Sequence, residues 1–167
     1  MFKIFYTVTF AVLTALTSVS AFADGTHCAS YSGDWWIVGY QSWIRHSYKF
    51  DTSCTDITEY FENSDRPGNP ETIHYQITPN WIFNNRWKAE KDQEWYSLYN
   101  WNYWDQNTLI TKARLYREKD NQLAWDFTTS ATFNEDELIE VDVKEFPIEK
   151  HIYKFQNIWT RKGPNHN

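Results

Sequence analysis

From Trp36 to Thr160 the chain is built of short runs in which side-chain character alternates with a period of two, and no other feature constrains the fold as strongly. The clearest run sets Leu123, Trp125 and Phe127 against Asp126, Thr128 and Ser130. Others set Ile139, Val141 and Val143 against Glu140, Asp142 and Lys144, and Tyr153, Phe155 and Trp159 against Lys154, Gln156 and Thr160. Ile57, Glu59 and Phe61, and Ile73, Tyr75 and Ile77, repeat the pattern. A strand sends successive side chains to opposite faces, so these runs fit strands with one buried face. Aromatic residues are 19% of the chain, and large rings suit a pleated, half-buried surface. Turn chemistry separates the runs at Asp51-Thr52-Ser53, Lys119-Asp120-Asn121 and Asn134-Glu135-Asp136. A longer loop carries Pro67, Gly68 and Pro70, and every proline falls at a run boundary. About eight to ten strands with short connections predict antiparallel hairpin neighbours. The expected fold is all-β: an antiparallel up-and-down β-barrel, because closing a meander removes its edges.

The first 23 residues read as an address. Lys3 precedes an apolar stretch, and Ala21-Phe22-Ala23 forms a small-x-small cleavage pattern before Asp24. Residues 1–23 are therefore expected to be a secretory signal peptide and residues 24–167 a single domain, periplasmic or secreted, with no integral membrane span after cleavage. In such a compartment Cys28 and Cys54, the two cysteines present, are expected to form a disulfide. It would close a loop of roughly 25 residues, worth about 3 kcal/mol through the entropy of the unfolded chain. A formal net charge of −6 argues against nucleic acid as a partner, since phosphate neutralisation needs clustered Lys and Arg. Nothing in the chain sets an oligomeric state.

The mature segment opens with Gly33-Asp34-Trp35 at the start of its first strand and closes with Arg161 near the end of its last. This pairing resembles the lipocalins and the wider calycin group, where a basic residue packs across the first-strand tryptophan. The resemblance implies a lipocalin-like or fatty-acid-binding-like barrel, a structural Trp35–Arg161 pair, and a small hydrophobic ligand held in the cup. The residues expected to line that cup are Ile37, Tyr75, Trp125, Phe127, His151, Tyr153 and Phe155.

Signatures of chemistry are sparse. There is no G-x-S-x-G, phosphate loop or dinucleotide fingerprint, and the five histidines are not at metal-binding spacings, so neither a cofactor nor a metal is expected. His151 shares parity with Tyr153 and Phe155 and is the one catalytic candidate, as an acid/base for an isomerase or cyclase working in the cup. His46 and His74 read as partnered structural residues. The preferred reading is binding without catalysis. An alternative is a Trp-rich surface that recognises carbohydrate or a protein partner as an inhibitor would. In Trp95 to Trp104 rings occupy both parities, and that alternative places Tyr96 and Trp104 outside, beside Asn100 and Asn102.

Overall fold

The computed structural model describes residues 27–163 apart from 41, 66 and 91. Residues 1–23, expected from the sequence to be a signal peptide, and His166 lie outside the described residues. A one-turn helix, α1 (Cys28–Tyr31), precedes β1 (Gly33–Ile37), β2 (Ile44–Phe50), β3 (Asp56–Asn63) and β4 (Glu71–Gln76). Then come β5 (Ile82–Lys88), β6 (Trp95–Asp105), β7 (Thr108–Arg117), β8 (Gln122–Phe133), β9 (Glu137–Phe146) and β10 (His151–Thr160). All ten strands form one antiparallel sheet in the order β4-β3-β2-β1-β10-β9-β8-β7-β6-β5. The period-two pattern and the short turns therefore specify an up-and-down meander whose two chain ends meet at β1 and β10.

The sheet curls strongly. Phe50 on β2 and Trp104 on β6 belong to strands six places apart, about 29 Å on a flat sheet at ~4.8 Å per strand. Their ring centroids are 5.5 Å apart. Phe133 on β8 meets Tyr48 at 5.2 Å, Trp35 at 5.8 Å and Tyr31 at 5.0 Å. These rings, with Ile57, Leu109, Leu138 and Trp159, form the apolar core at one end of the curl.

The ladder is not closed. No hydrogen-bonded pairing joins β4 to β5, which differs from the fully closed barrel expected from the sequence. The connection between them contains Pro79, which has no N–H to give to a ladder. It runs instead against β6: the Asn102 amide donates to the Gln76 carbonyl at 3.1 Å, Thr78 N–H to the Asn102 carbonyl at 3.0 Å, and the Trp101 indole to the Thr78 carbonyl at 3.0 Å. The gap is stitched at one end and left open beside β5.

The disulfide expected from the cysteine count is present. Cys28 and Cys54, with Cα atoms 5.8 Å apart, fix α1 to the β2–β3 turn. In that turn Asp51 accepts backbone N–H groups from Thr55 at 2.7 Å and Asp56 at 2.8 Å. With the Ser53 hydroxyl these hold its carboxyl down to about 2.

Candidate functional site

Above the apolar core lies a cavity of about 300 Å³, walled by strands from both halves of the sheet. The pairing register decides what faces it. Tyr48 lies opposite Glu59, and Glu59 opposite Ile73. On the other wall Asn157 lies opposite Glu140, Glu140 opposite Ala131 and Ala131 opposite Leu109. Leu138, fully buried, and Trp159 anchor this register. The inward face of β9 is thus Leu138, Glu140 and Asp142, while the apolar set Ile139, Val141 and Val143 lies on the other side of the sheet. The lining is mixed rather than apolar throughout.

A buried polar cluster occupies one wall. His46 pairs through Nε2 with Glu59 Oε1, and its Nδ1 lies 3.5 Å from the Tyr48 hydroxyl. The Tyr75 hydroxyl donates to the other Glu59 oxygen at 2.9 Å. Burial alone would lower the His46 pKa, but the hydrogen bond and charge of Glu59, with Glu140 and Asp142 behind it, raise it above its ordinary value. Burial pulls the Glu59 carboxyl upward, and the His46 contact with the Tyr75 hydroxyl outweighs that and holds it low. The pair is an ion pair inside the protein.

Glu140 and Asp142 are different. The Trp159 indole donates to Glu140 Oε2 at 3.1 Å, and the Thr129 hydroxyl donates to Asp142 at 2.6 Å. Neither carboxylate has an ion-pair partner among the described residues. Burial dominates, and both carboxyl groups are pushed above their ordinary values. Across the cavity, the Oδ1 atoms of Asn100 and Asn102 are buried and accept no hydrogen bond. A second void of about 370 Å³ is lined by residues of β3, β4, β5 and β6 and shares His74, Tyr75, Asn84, Asn100 and Asn102 with the first. It occupies the break between β4 and β5 and gives a lateral path to the interior.

The sequence-derived candidates divide among several places. Tyr75 and Phe127 line the cavity. Ile37 packs half-buried against the apolar core. Trp125 meets Phe127 edge-on at 6.3 Å and carries the Lys144 ammonium 5.3 Å from its centre. Tyr153 and Phe155 are 46% and 56% exposed on β10, and His151 meets Tyr153 edge-on with ring centres 4.2 Å apart. No hydrogen bond or ion pair joins His151 to a carboxylate among the described residues. His46, Tyr48, Glu59, Asn100, Asn102, Glu140 and Asp142 are site residues that the apolar-cup reading passed over. Glu59 carried a signal, since it interrupts the otherwise apolar parity of Ile57 and Phe61.

Trp35 and Arg161 meet at the narrow end. The guanidinium lies 4.3 Å from the centre of the fully buried indole. It also donates to the Ser32 carbonyl at 3.2 Å and to the Ser30 carbonyl. Gly33 is needed there for two reasons. Its φ is +122°, and a Cβ would stand 3.3 Å from the Arg161 guanidinium.

The outer face of β5 to β7 carries the rings that the surface-recognition reading invoked, with the parity reversed. Trp95, Tyr99, Trp101 and Tyr103 lie outside, whereas Trp104 is buried and Asn102 nearly inaccessible. Leu109, buried opposite Trp104, fixes this orientation. Cations already cover several of the outer rings: Arg114 lies 4.5 Å from the centre of Trp81 and Lys112 5.3 Å from that of Trp101.

No protein-family model matches the chain, and no curated protein matches it. Among solved structures, the crystal structure of secretory abundant heat soluble protein 4 from Ramazzottius varieornatus is similar over 79% of this chain and 94% of that one, at 10% identity and a TM-score of 0.49.

Proposed function

We propose that this chain is a secreted binding protein that holds one small molecule inside the curled sheet and performs no chemistry on it. The observation that carries this reading is the interior cavity, walled by strands from both halves of one meander and reached through the β4–β5 break. Its volume of about 300 Å³ is at the lower end of the range for small-molecule sites. The disulfide between Cys28 and Cys54 fits an oxidising compartment. A non-catalytic role fits the one buried histidine among the described residues: His46 has one ring nitrogen on Glu59 and the other beside Tyr48, which leaves neither free for a substrate. The cation-covered outer rings favour the interior over the surface reading, because a sugar would have to displace Arg114 or Lys112 to stack.

The neutral dye N-phenyl-1-naphthylamine provides the test. Its fluorescence is expected to rise on titration with a stoichiometry of one. Thr111 lines the cavity between Asn102 and Thr129. Thr111→Trp is expected to reduce the enhancement at least tenfold while far-ultraviolet circular dichroism still reports the sheet. An undiminished enhancement in a folded Thr111→Trp protein would place the dye on the outer rings and reject the interior site.

A further inference from the structure

We propose that the interior site selects a small organic cation, a protonated amine carried on an aromatic or apolar body. This rests on the reading of the cavity as a ligand site and names what that site takes. The polar lining carries buried acceptors that no donor reaches. Each carboxylate already has a neutral donor, the Tyr75 hydroxyl on Glu59, the Thr129 hydroxyl on Asp142 and the Trp159 indole on Glu140. The Thr111 hydroxyl and the Asn84 amide also line the cavity, so the imbalance lies in two buried oxygens and in charge. Asn102 is 1% exposed, and its amide nitrogen is committed to the Gln76 carbonyl, which fixes Oδ1 as the atom turned away from that bond. That Oδ1, with the Oδ1 of Asn100, accepts no hydrogen bond. A buried acceptor left unmade is costly, and native proteins keep few of them.

The charge is unbalanced in the same direction. His46 is matched by Glu59, so Glu140 and Asp142 are left as two carboxyl groups in the same wall without a cationic partner among the described residues. Water offers donors and acceptors equally and brings no charge, so it would satisfy the asparagines without answering the carboxylates. An ammonium supplies up to three donors, no acceptor and the missing positive charge in one group. The remainder of the lining sets the other end of the ligand. Tyr48, Phe127 and Leu109 give an apolar surface beside the acidic one, and a cation over an aromatic face adds to the preference. At ~30 Å³ per water, the cavity of about 300 Å³ holds roughly ten water volumes. That is room for an aryl ring with a short aminoalkyl arm, and not for a long lipid chain.

Calorimetric titration at pH 7 with three indoles of matched size tests this: tryptamine, indole-3-ethanol and indole-3-propionate. Tryptamine is expected to bind with a stoichiometry of one and at least tenfold more tightly than the alcohol, with the carboxylate weakest. In the double variant Glu140→Gln/Asp142→Asn the tenfold preference is expected to fall to about one. The same variant is expected to unfold at a higher temperature than the parent, because burial works against both charges in the empty site; this also establishes that it folds. Equal affinity for the three indoles, or a preference that survives in the folded double variant, overturns the cation assignment while leaving an interior carrier in place. If no indole binds and the neutral naphthylamine dye also fails, the cavity reading falls with it.

Discussion

Replacing Trp35 with alanine is expected to lower the unfolding free energy by about 4 kcal/mol, in the range found for buried aromatic truncations. The indole is fully buried and serves three partners at once. Its edge packs on Phe133 at 5.8 Å, its N–H donates to the Tyr31 carbonyl at 3.2 Å, and its face carries Arg161. Removing it opens a void under α1 and strands the guanidinium. For a domain of this size the midpoint of thermal unfolding should fall by roughly 10–15 °C. Arg161→Ala is expected to cost less, about 2 kcal/mol, since it loses the cation–π contact and the hydrogen bonds to two carbonyls but leaves no large cavity. Arg161→Lys should recover only part of that, because an ammonium cannot stack flat and reach both carbonyls. Urea titration of the three variants measures the order. Equal losses for Trp35→Ala and Arg161→Ala would show that the pair acts only through its mutual contact and not through the packed base.

Glu59→Gln is expected to be the second most damaging change, with a cost that depends on pH. In the folded protein the His46 pKa lies above 6.5, so its contribution is fully present below pH 6.5 and is lost as pH rises through the folded value. The Glu59 pKa lies below 4.5, so its contribution is present above pH 4.5 and is lost as pH falls through the folded value. The pair therefore stabilises most between about pH 4.5 and 6.5. Near pH 5.5, Glu59→Gln leaves a buried imidazole that must either hold an unpaired charge or give up a proton, at about 3–5 kcal/mol. Once the pH has risen through the folded His46 value the parent imidazole is itself neutral, and the loss shrinks to about 1–2 kcal/mol for an altered hydrogen bond. Tyr75→Phe, which removes one hydroxyl from the same carboxylate, should cost about 1 kcal/mol at either pH. A Glu59→Gln penalty that does not vary across this range would mean that the pair is neutral throughout.

Much of the fold was legible because strand periodicity is local. Leu123, Trp125 and Phe127 alternate with polar residues whatever their partners, and the turn residues between runs are equally local. Gly33, Trp35 and Arg161 were legible as a pattern, and the approach of Arg161 to Gly33 explains why the small residue stands there. Alternation does not say which parity faces inward, because that depends on partners far along the chain. On β9 the apolar parity lies outside and the acidic parity inside, since Leu138 is held between Trp159 and Phe133 and carries Glu140 and Asp142 with it. On β6 the same ambiguity hid Asn100 and Asn102 behind the outer tryptophans. The open β4–β5 edge was hidden for a related reason: the connection that carries Pro79 is held on β6 where the Asn102 amide reaches the Gln76 carbonyl, and those two residues are 26 positions apart.

The most direct measurement is a ¹⁵N correlation spectrum recorded during titration with tryptamine. Ligand held inside the curled sheet should move the side-chain amide signals of Asn100 and Asn102 and the indole signal of Trp159, which donates to Glu140. All three should follow one saturable curve, while the indole signals of Trp36 and Trp95 stay in place. Movement of the Trp36 or Trp95 indoles with the two asparagine amides unchanged would contradict the interior site.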